Sequence, residues 1–205
     1  MNNVPMNEFL KVEYEQCLGL IKFYDERHQS LAKFAAGLSA AVPAFVITIL
    51  RFGPQDIQSN VALYAGFLCA MTTLGLLIVF ISMVQNRLYF VYPARQVNSI
   101  RALMAKALEP EGFDNRMYTA SDFSAWKWMS SQTLLLFFVA AQAGVFFGLS
   151  VFFSLGSISS FAPSSRWLGF TGGVALAAFI FYRAARYLAT HGGKPADSAV
   201  HGANK

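Results

Sequence analysis

The stretch EYEQCLGLIKFYDERHQSLAKF, residues 13–34, contains no proline and a single glycine, and it continues without a break into the apolar stretch LAKFAAGLSAAVPAFVITIL, residues 31–50. Apolar residues recur in the first stretch near the three- and four-residue spacing of an amphipathic helix. The second stretch is long enough to cross a bilayer. Together they predict one continuous helix, an arm followed by a membrane span, with a kink at Pro43, which removes a hydrogen bond to the carbonyl of Ser39.

The composition favours the lipid bilayer as the solvent for most of the chain. Hydrophobic residues make up 55% of the 205 residues and charged residues only 13%, whereas soluble domains carry about 25% charged residues. A helix rises about 1.5 Å per residue, so a hydrocarbon core of about 30 Å requires roughly 20 apolar residues. Four stretches with uncharged central parts meet this length: residues 31–50, 61–83, 132–155 and 168–187.

The Lys and Arg residues predict how these spans are oriented. Four lie in the N-terminal arm up to Lys33, six in residues 84–128 and four from Arg183 onward, whereas each of the two short loops contains one. Because cytoplasmic loops carry the excess of positive charge, both termini and the segment 84–128 are expected in the cytoplasm. The same bias explains most of the net charge of +5, and binding of nucleic acid is the alternative explanation of that charge. The charge bias therefore indicates a multi-pass membrane protein with both termini in the cytoplasm.

The predicted fold class is an all-α membrane protein with four transmembrane helices, a cytoplasmic N-terminal helix and a cytoplasmic amphipathic helix between spans 2 and 3. Pro93 fits the first turn of that amphipathic helix, which lies either on the lipid headgroups or on the arm. The sequence TASD, residues 119–122, has capping-box spacing and predicts a further helix start. The predicted parts are a helical arm at 1–30, a transmembrane hairpin at 31–83, an amphipathic loop at 84–128, a second hairpin at 129–189 and a disordered tail at 190–205.

Small residues recur every four positions in the third and fourth spans. Lipid supplies no hydrophobic force between helices, so close packing of backbones at small residues has to hold them together. These positions therefore predict helix interfaces, either within one chain or between chains: Ala140, Gly144, Gly148, Gly169 and Gly173.

Two polar residues of the third span, Gln142 and Ser150, are candidates for a pore lining or for interhelical hydrogen bonds. The amide of Gln142 cannot be satisfied by its own backbone as easily as a hydroxyl group can. An interhelical hydrogen bond in a membrane is worth about 0.6 kcal/mol on average. The alternative role for Gln142 is to face a water-filled pore.

Catalysis is not indicated by the sequence. The three histidines lie outside the spans and form no HExxH motif, so a zinc hydrolase is not supported. The serines of the third span have no intramembrane base to activate them. We therefore expect no enzyme, no metal site and no cofactor. Because the spans also contain no carboxylates and no recognisable repeat, a solitary ion-coupled transporter is disfavoured.

The arm presents an apolar face that includes Tyr14, Ile21 and Tyr24. One hypothesis is that this face is a latch, docked against the mouth of a pore in the closed state. The alternatives are a helix that lies on the membrane as an anchor and a rigid stalk that only supports oligomerisation.

The whole architecture resembles a known group of membrane proteins. With the arm EYEQCLGLIKFYDERHQSLAKF, a first span rich in Gly and Ala, and two hairpins separated by a basic amphipathic loop, the chain resembles the small four-span effectors of prokaryotic anti-phage systems. It is most similar to the membrane effectors of Hailong systems. The resemblance implies a location in the bacterial inner membrane. It also implies a homo-oligomeric channel, with a tetramer as the working stoichiometry, that permeabilises or depolarises that membrane during infection.

In that group, two things keep the channel closed: an N-terminal latch, and short DNA that a partner nucleotidyltransferase makes. For this chain the resemblance implies a nucleotidyltransferase partner and a short DNA or nucleotide ligand. Phosphates require mobile cations, and the candidates are Lys11, Lys22, Arg27, Arg95 and Arg101. The rival interpretation is a non-conducting membrane scaffold or accessory subunit, which the plain apolar spans would also suit.

Overall fold

The computed structural model describes residues 4–55, 60–108, 119–120, 122–156 and 162–192, and for residues 4–7, 108, 162 and 163 it describes the backbone alone. From residue 193 onward, the predicted disordered tail lies outside the described residues.

Helices are the regular secondary structure of the described part of the chain, which contains no strand. Its four long helices are α1 (Val4–Phe52), α2 (Val61–Leu108), α3 (Ser131–Gly156) and α4 (Ala162–His191). Each contains a stretch long and apolar enough to cross a membrane. This confirms the predicted all-α class and the four helices of membrane-spanning length.

Helix α1 joins the arm and the first apolar stretch in a single element of 49 residues. At about 1.5 Å per residue it is about 74 Å long, more than twice the thickness of a hydrocarbon core. Pro43 lies inside it without ending the helix. Its last turn is closed by the backbone N–H of Gly53, which donates to the carbonyl of Ile49 at 2.9 Å.

Helix α2 also continues far beyond its apolar stretch, and this corrects the prediction that a new helix starts at Pro93. The helix runs for 48 residues with Pro93 in its interior. A proline inside a helix costs about 3 kcal/mol through one lost hydrogen bond and a steric clash. Burial of Val91 and Val97, at 0% and 2% exposure, offsets that cost on both sides of the proline.

Helix α3 begins later than the TASD motif predicts. Thr119, Ala120 and the residues from Asp122 to Ser130 are not helical. The N-cap is Ser130: its Oγ accepts the backbone N–H of Thr133 at 3.2 Å, and its carbonyl accepts the N–H of Leu134 at 2.9 Å. The predicted helix start at Thr119 is therefore wrong, although the type of cap is the expected one.

Contacts cluster the chain into two compact units. The arm unit comprises the described residues of Met1–His28, Gln85–Lys127 and Tyr187–Lys205, and the span unit comprises those of Gln29–Val84 and Trp128–Arg186. Helices α1, α2 and α4 thus contribute residues to both units.

In the span unit, helices that follow one another in the chain pack against one another. A Cβ atom added at Gly75 of α2 would lie 3.1 Å from Leu38 of α1, and one added at Gly66 would lie 3.1 Å from Ser154 of α3. The core of this unit is formed by side chains with almost no exposed surface: Leu76, Met83, Leu136 and Val139.

Candidate functional site

Within the arm unit, the apolar face of the arm packs on the second half of α2. Cys17 and His28 of the arm are buried, at 5% and 0% exposure. The rings of Tyr24 and Tyr89 lie with their centroids 6.1 Å apart. The side-chain amide of Asn86 donates to the backbone carbonyl of Tyr24 at 2.7 Å. The sequence left two positions open for the amphipathic helix, on the lipid headgroups or on the arm. In the structure it packs on the arm.

A second contact fixes the arm ten residues before Tyr24. Nε and Nη2 of Arg101 each donate to the hydroxyl of Tyr14 at 3.2 Å. The Arg101 guanidinium carbon also lies 5.7 Å from the centre of the Tyr14 ring, within the range of a cation–π interaction. We refer to these contacts of Tyr14 and Tyr24 with Asn86, Tyr89 and Arg101 as the arm clamp. The third predicted latch residue, Ile21, is half-buried.

Arg87 is a buried cation next to the clamp. Its side chain is 3% exposed, and its Nε donates to the carbonyl of Ala125 at 2.9 Å. Its guanidinium carbon lies 5.2 Å from the centre of the Phe90 ring and 5.5 Å from that of Phe123. Burial lowers the pKa of Arg87 to about 10, and the carboxylate of Asp25 on the arm opposes this shift. Arg87 follows the apolar stretch that ends at Met83, and it is protonated at neutral pH.

Three side chains of α2 bind the irregular segment that precedes α3. Besides the Arg87 bond to Ala125, Arg95 Nε donates to the carbonyl of Phe123 at 2.9 Å and Asn98 donates to that of Ala120 at 2.7 Å. The acceptors follow the donors in reverse order, so this segment runs antiparallel to α2. We call Thr119, Ala120 and residues 122–126 the strap. The carbonyls of Ala120, Phe123 and Ala125 accept bonds from α2. These bonds stabilise an irregular backbone in place of the helix start that TASD predicts.

The end of α4 lies against the strap. The backbone N–H of Gly192 donates to the carbonyl of Leu188 at 2.9 Å and closes the last turn. A Cβ atom at Gly192 would overlap the side chain of Ala125, which is 3% exposed. Only glycine fits at this close approach.

The five predicted phosphate contacts divide into two groups. Lys11, Lys22 and Arg27 are exposed on the arm, and Lys22 pairs with Glu26 at 3.8 Å across a solvated surface. Such exposed pairs contribute little and are easily exchanged for another anion. Arg95 and Arg101 are engaged with Phe123 and Tyr14. The structure therefore leaves the three arm residues accessible and gives the other two intrachain roles.

The small residues of the third and fourth spans face each other within one chain. A Cβ atom added at Gly144 would lie 2.5 Å from the carbonyl oxygen of Gly173, and one added at Gly148 would lie 2.6 Å from that of Gly169. Ala140 is buried beside them, at 1% exposure. Of the two alternatives left open by the sequence, the structure has the intrachain contact.

The predicted polar residues of α3 are placed differently from each other. The side-chain oxygen of Gln142 is buried and accepts no hydrogen bond from the described residues. Ser150 is half-buried. Neither the pore role nor the interhelical role is assigned by these contacts. Among the described residues, no group of three His, Cys, Asp or Glu side chains is placed to hold a metal ion.

Asn86, Arg87 and Asn98 were missed as site residues in the sequence. A signal for two of them was present, because Arg87, Arg95 and Asn98 lie at helical spacing on one face of α2 together with the buried Val91. Their partners are backbone carbonyls, however, and no side-chain pattern identifies a carbonyl acceptor.

No family model matches the chain, and no curated protein or solved structure matches it either.

Proposed function

We propose that the protein is a homo-oligomeric membrane channel effector of anti-phage defence, with both termini in the cytoplasm, and that the arm clamp biases it towards a closed state. The observation that supports this is the combination of two features of one helix. Helix α1 carries both the arm and the first apolar stretch, and its arm is bound to α2 through Tyr14 and Tyr24. Movement of the arm would therefore be passed directly to a membrane-spanning segment.

The strength of the clamp suits a switch. A hydrogen bond contributes about 0.5–1.5 kcal/mol net, and a pair of aromatic rings about the same. The Arg101 pair with Tyr14, the Asn86 bond and the Tyr24 pair with Tyr89 together hold the arm by a few kcal/mol. A bias of that size leaves the minor state at about 0.1–10%. A partner that binds one state more tightly can then reverse it.

We place the signal on the exposed face of the arm. Lys11, Lys22 and Arg27 are accessible, and cations of this kind bind phosphates through electrostatic contacts that salt weakens. In this proposal a partner nucleotidyltransferase makes a short DNA or nucleotide, and its binding to the arm favours the clamped state.

The test is ion flux from liposomes that contain either the full chain or a form lacking residues 1–21, each with and without short single-stranded DNA. We expect the truncated form to conduct more, because it lacks Tyr14, and DNA to suppress flux only through the full chain. Equal flux through both forms, with equal insertion, would overturn the role of the arm.

A matched pair of point variants distinguishes loss of the docked face of the arm from a general disturbance of the arm helix. Ile21 is half-buried, whereas its neighbour Leu20 is 44% exposed. Ile21→Asp should raise flux, because the carboxylate would be buried in the docked face, and Leu20→Asp should not. The same increase from both variants would contradict docking through this face.

A scaffold or accessory subunit without conduction is the second candidate. Large apolar side chains are exposed along the described spans, and they suit a protein that only packs with lipid or with other subunits: Phe67, Ile78, Phe138 and Phe170. The absence of flux from both the full and the truncated form would favour this function.

A further inference from the structure

A groove runs along the packed pair of α3 and α4. It has a volume of about 610 Å³, within the range of about 300–1,000 Å³ that is usual for small-molecule sites. Its floor is made by the glycines at which the two backbones meet, and its walls include Phe137, Phe152, Phe170 and Phe181.

The length of the groove suits a lipid chain. On α3 the lining extends from Phe137 to Phe152, which corresponds to about 22 Å of helix. One leaflet of a bilayer provides about half of a hydrocarbon core of about 30 Å. A single acyl chain that enters from one leaflet can therefore lie entirely within the groove.

One cation lies at the end of this apolar groove. Among the described residues that line the groove, Arg166 is the only charged one, and it is the first of them on α4. It is exposed, and it forms no ion pair with another described residue. An apolar groove that ends at a cation without an ion pair among the described residues is complementary to an amphiphile with an apolar chain and an anionic head.

We propose that this groove binds an anionic phospholipid, with one acyl chain along the groove and the phosphate at Arg166. The site is independent of channel activity and of the arm clamp. In the orientation proposed above, the lipid would come from the outer leaflet, because Arg166 belongs to the second short loop region.

The first experiment measures lipid selectivity. The purified full chain in detergent is titrated with phosphatidylglycerol or with phosphatidylcholine of the same acyl chains, and retained lipid is counted by native mass spectrometry. We expect stronger retention of phosphatidylglycerol, and we expect Arg166→Gln to weaken that retention about fivefold, as one basic residue near a lipid surface does. Arg51→Gln is the control, since Arg51 is also exposed near a short loop but does not line the groove.

The second experiment fills the groove. Ala178 and Ala175 are both exposed on α4, but only Ala178 lines the groove. Ala178→Phe should reduce retention of both lipids, whereas Ala175→Phe should leave retention unchanged. Helical content by circular dichroism is measured for every variant, to confirm that each one folds.

Several results would overturn the proposal. Equal retention of the two lipids by the unmodified protein would show that the charge of the lipid head does not contribute to binding. Equal losses of retention from Arg166→Gln and Arg51→Gln would show that Arg166 has no specific role. If Ala178→Phe left lipid retention unchanged, the acyl chain of the lipid would not lie in the groove. If it instead changed only the oligomeric state, the occupant would be a second copy of the protein.

Discussion

At the scale of single residues, Tyr14 is the contact that most directly tests the latch. Its hydroxyl accepts two bonds from Arg101, and Tyr14→Phe removes both while keeping the ring. A loss of about 1 kcal/mol of closed-state bias should raise resting flux about fivefold. Liposome flux measures this, with Tyr182→Phe as the control, because Tyr182 is 59% exposed on α4.

A double variant shows whether the effect belongs to the pair. Arg101→Gln alone should raise flux at least as much as Tyr14→Phe does, because it removes the cation–π contact as well as the two hydrogen bonds. The double variant should add little to Arg101→Gln, since that substitution already removes the whole interaction. Fully additive effects would mean that the two residues act separately, and the clamp as described would then be wrong.

At the scale of elements, the pairing of α3 with α4 depends on backbone contact. A Cβ atom at position 144 would lie 2.5 Å from the carbonyl oxygen of Gly173, so Gly144→Leu would force the two helices apart. Such helices are held together by van der Waals packing at small residues. We expect a loss of about 2 kcal/mol or more, since overpacking of this kind typically costs about 1–3 kcal/mol. Unfolding in detergent by SDS titration measures it.

Gly37→Leu is the control, because a Cβ atom at Gly37 meets no other atom within 4 Å. Helix propensity favours leucine over glycine at both positions, so it cannot cause a loss. A similar loss of stability from both variants would therefore contradict a specific role for the contact between Gly144 and α4.

The elements also show which features a sequence can predict. The continuity of α1 could be predicted, because no proline occurs between residues 13 and 34 and the apolar spacing is helical. The second half of α2 was mistaken for a separate helix, because Pro93 is typical of a first turn. The strap could not be predicted, since its bonds join residues 22 to 38 positions apart through carbonyls that every residue type carries.

At the scale of the whole molecule, the orientation in the membrane is the prediction on which the proposed function depends. Single cysteines at Lys106 and Arg51, both exposed, report the two sides. In spheroplasts, an impermeant maleimide should label the cysteine at position 51 and should label the one at position 106 only after lysis. This expectation rests on the excess of positive charge in the arm and in residues 84–128.

The background for this experiment has to lack Cys17 and Cys69, which are the free cysteines. Labelling at position 106 in intact spheroplasts would place the arm unit outside the cell. The proposed partner and ligand would then have no access to Lys11, Lys22 and Arg27. The glycines considered for assembly contact one another between α3 and α4 of one chain.

The strap has a consequence for how this protein can change over generations. Arg87, Arg95 and Asn98 bind its carbonyl groups, and a carbonyl is the same whichever side chain follows it. We therefore expect substitutions to be tolerated at most strap positions and not at the three donors on α2. Ala125 and Phe123 are the exceptions, since Ala125 lies against Gly192 and the Phe123 ring lies 5.5 Å from the Arg87 guanidinium carbon. Descendants of this sequence should preserve a small residue at position 125 and an aromatic ring at position 123, and vary at the other strap positions.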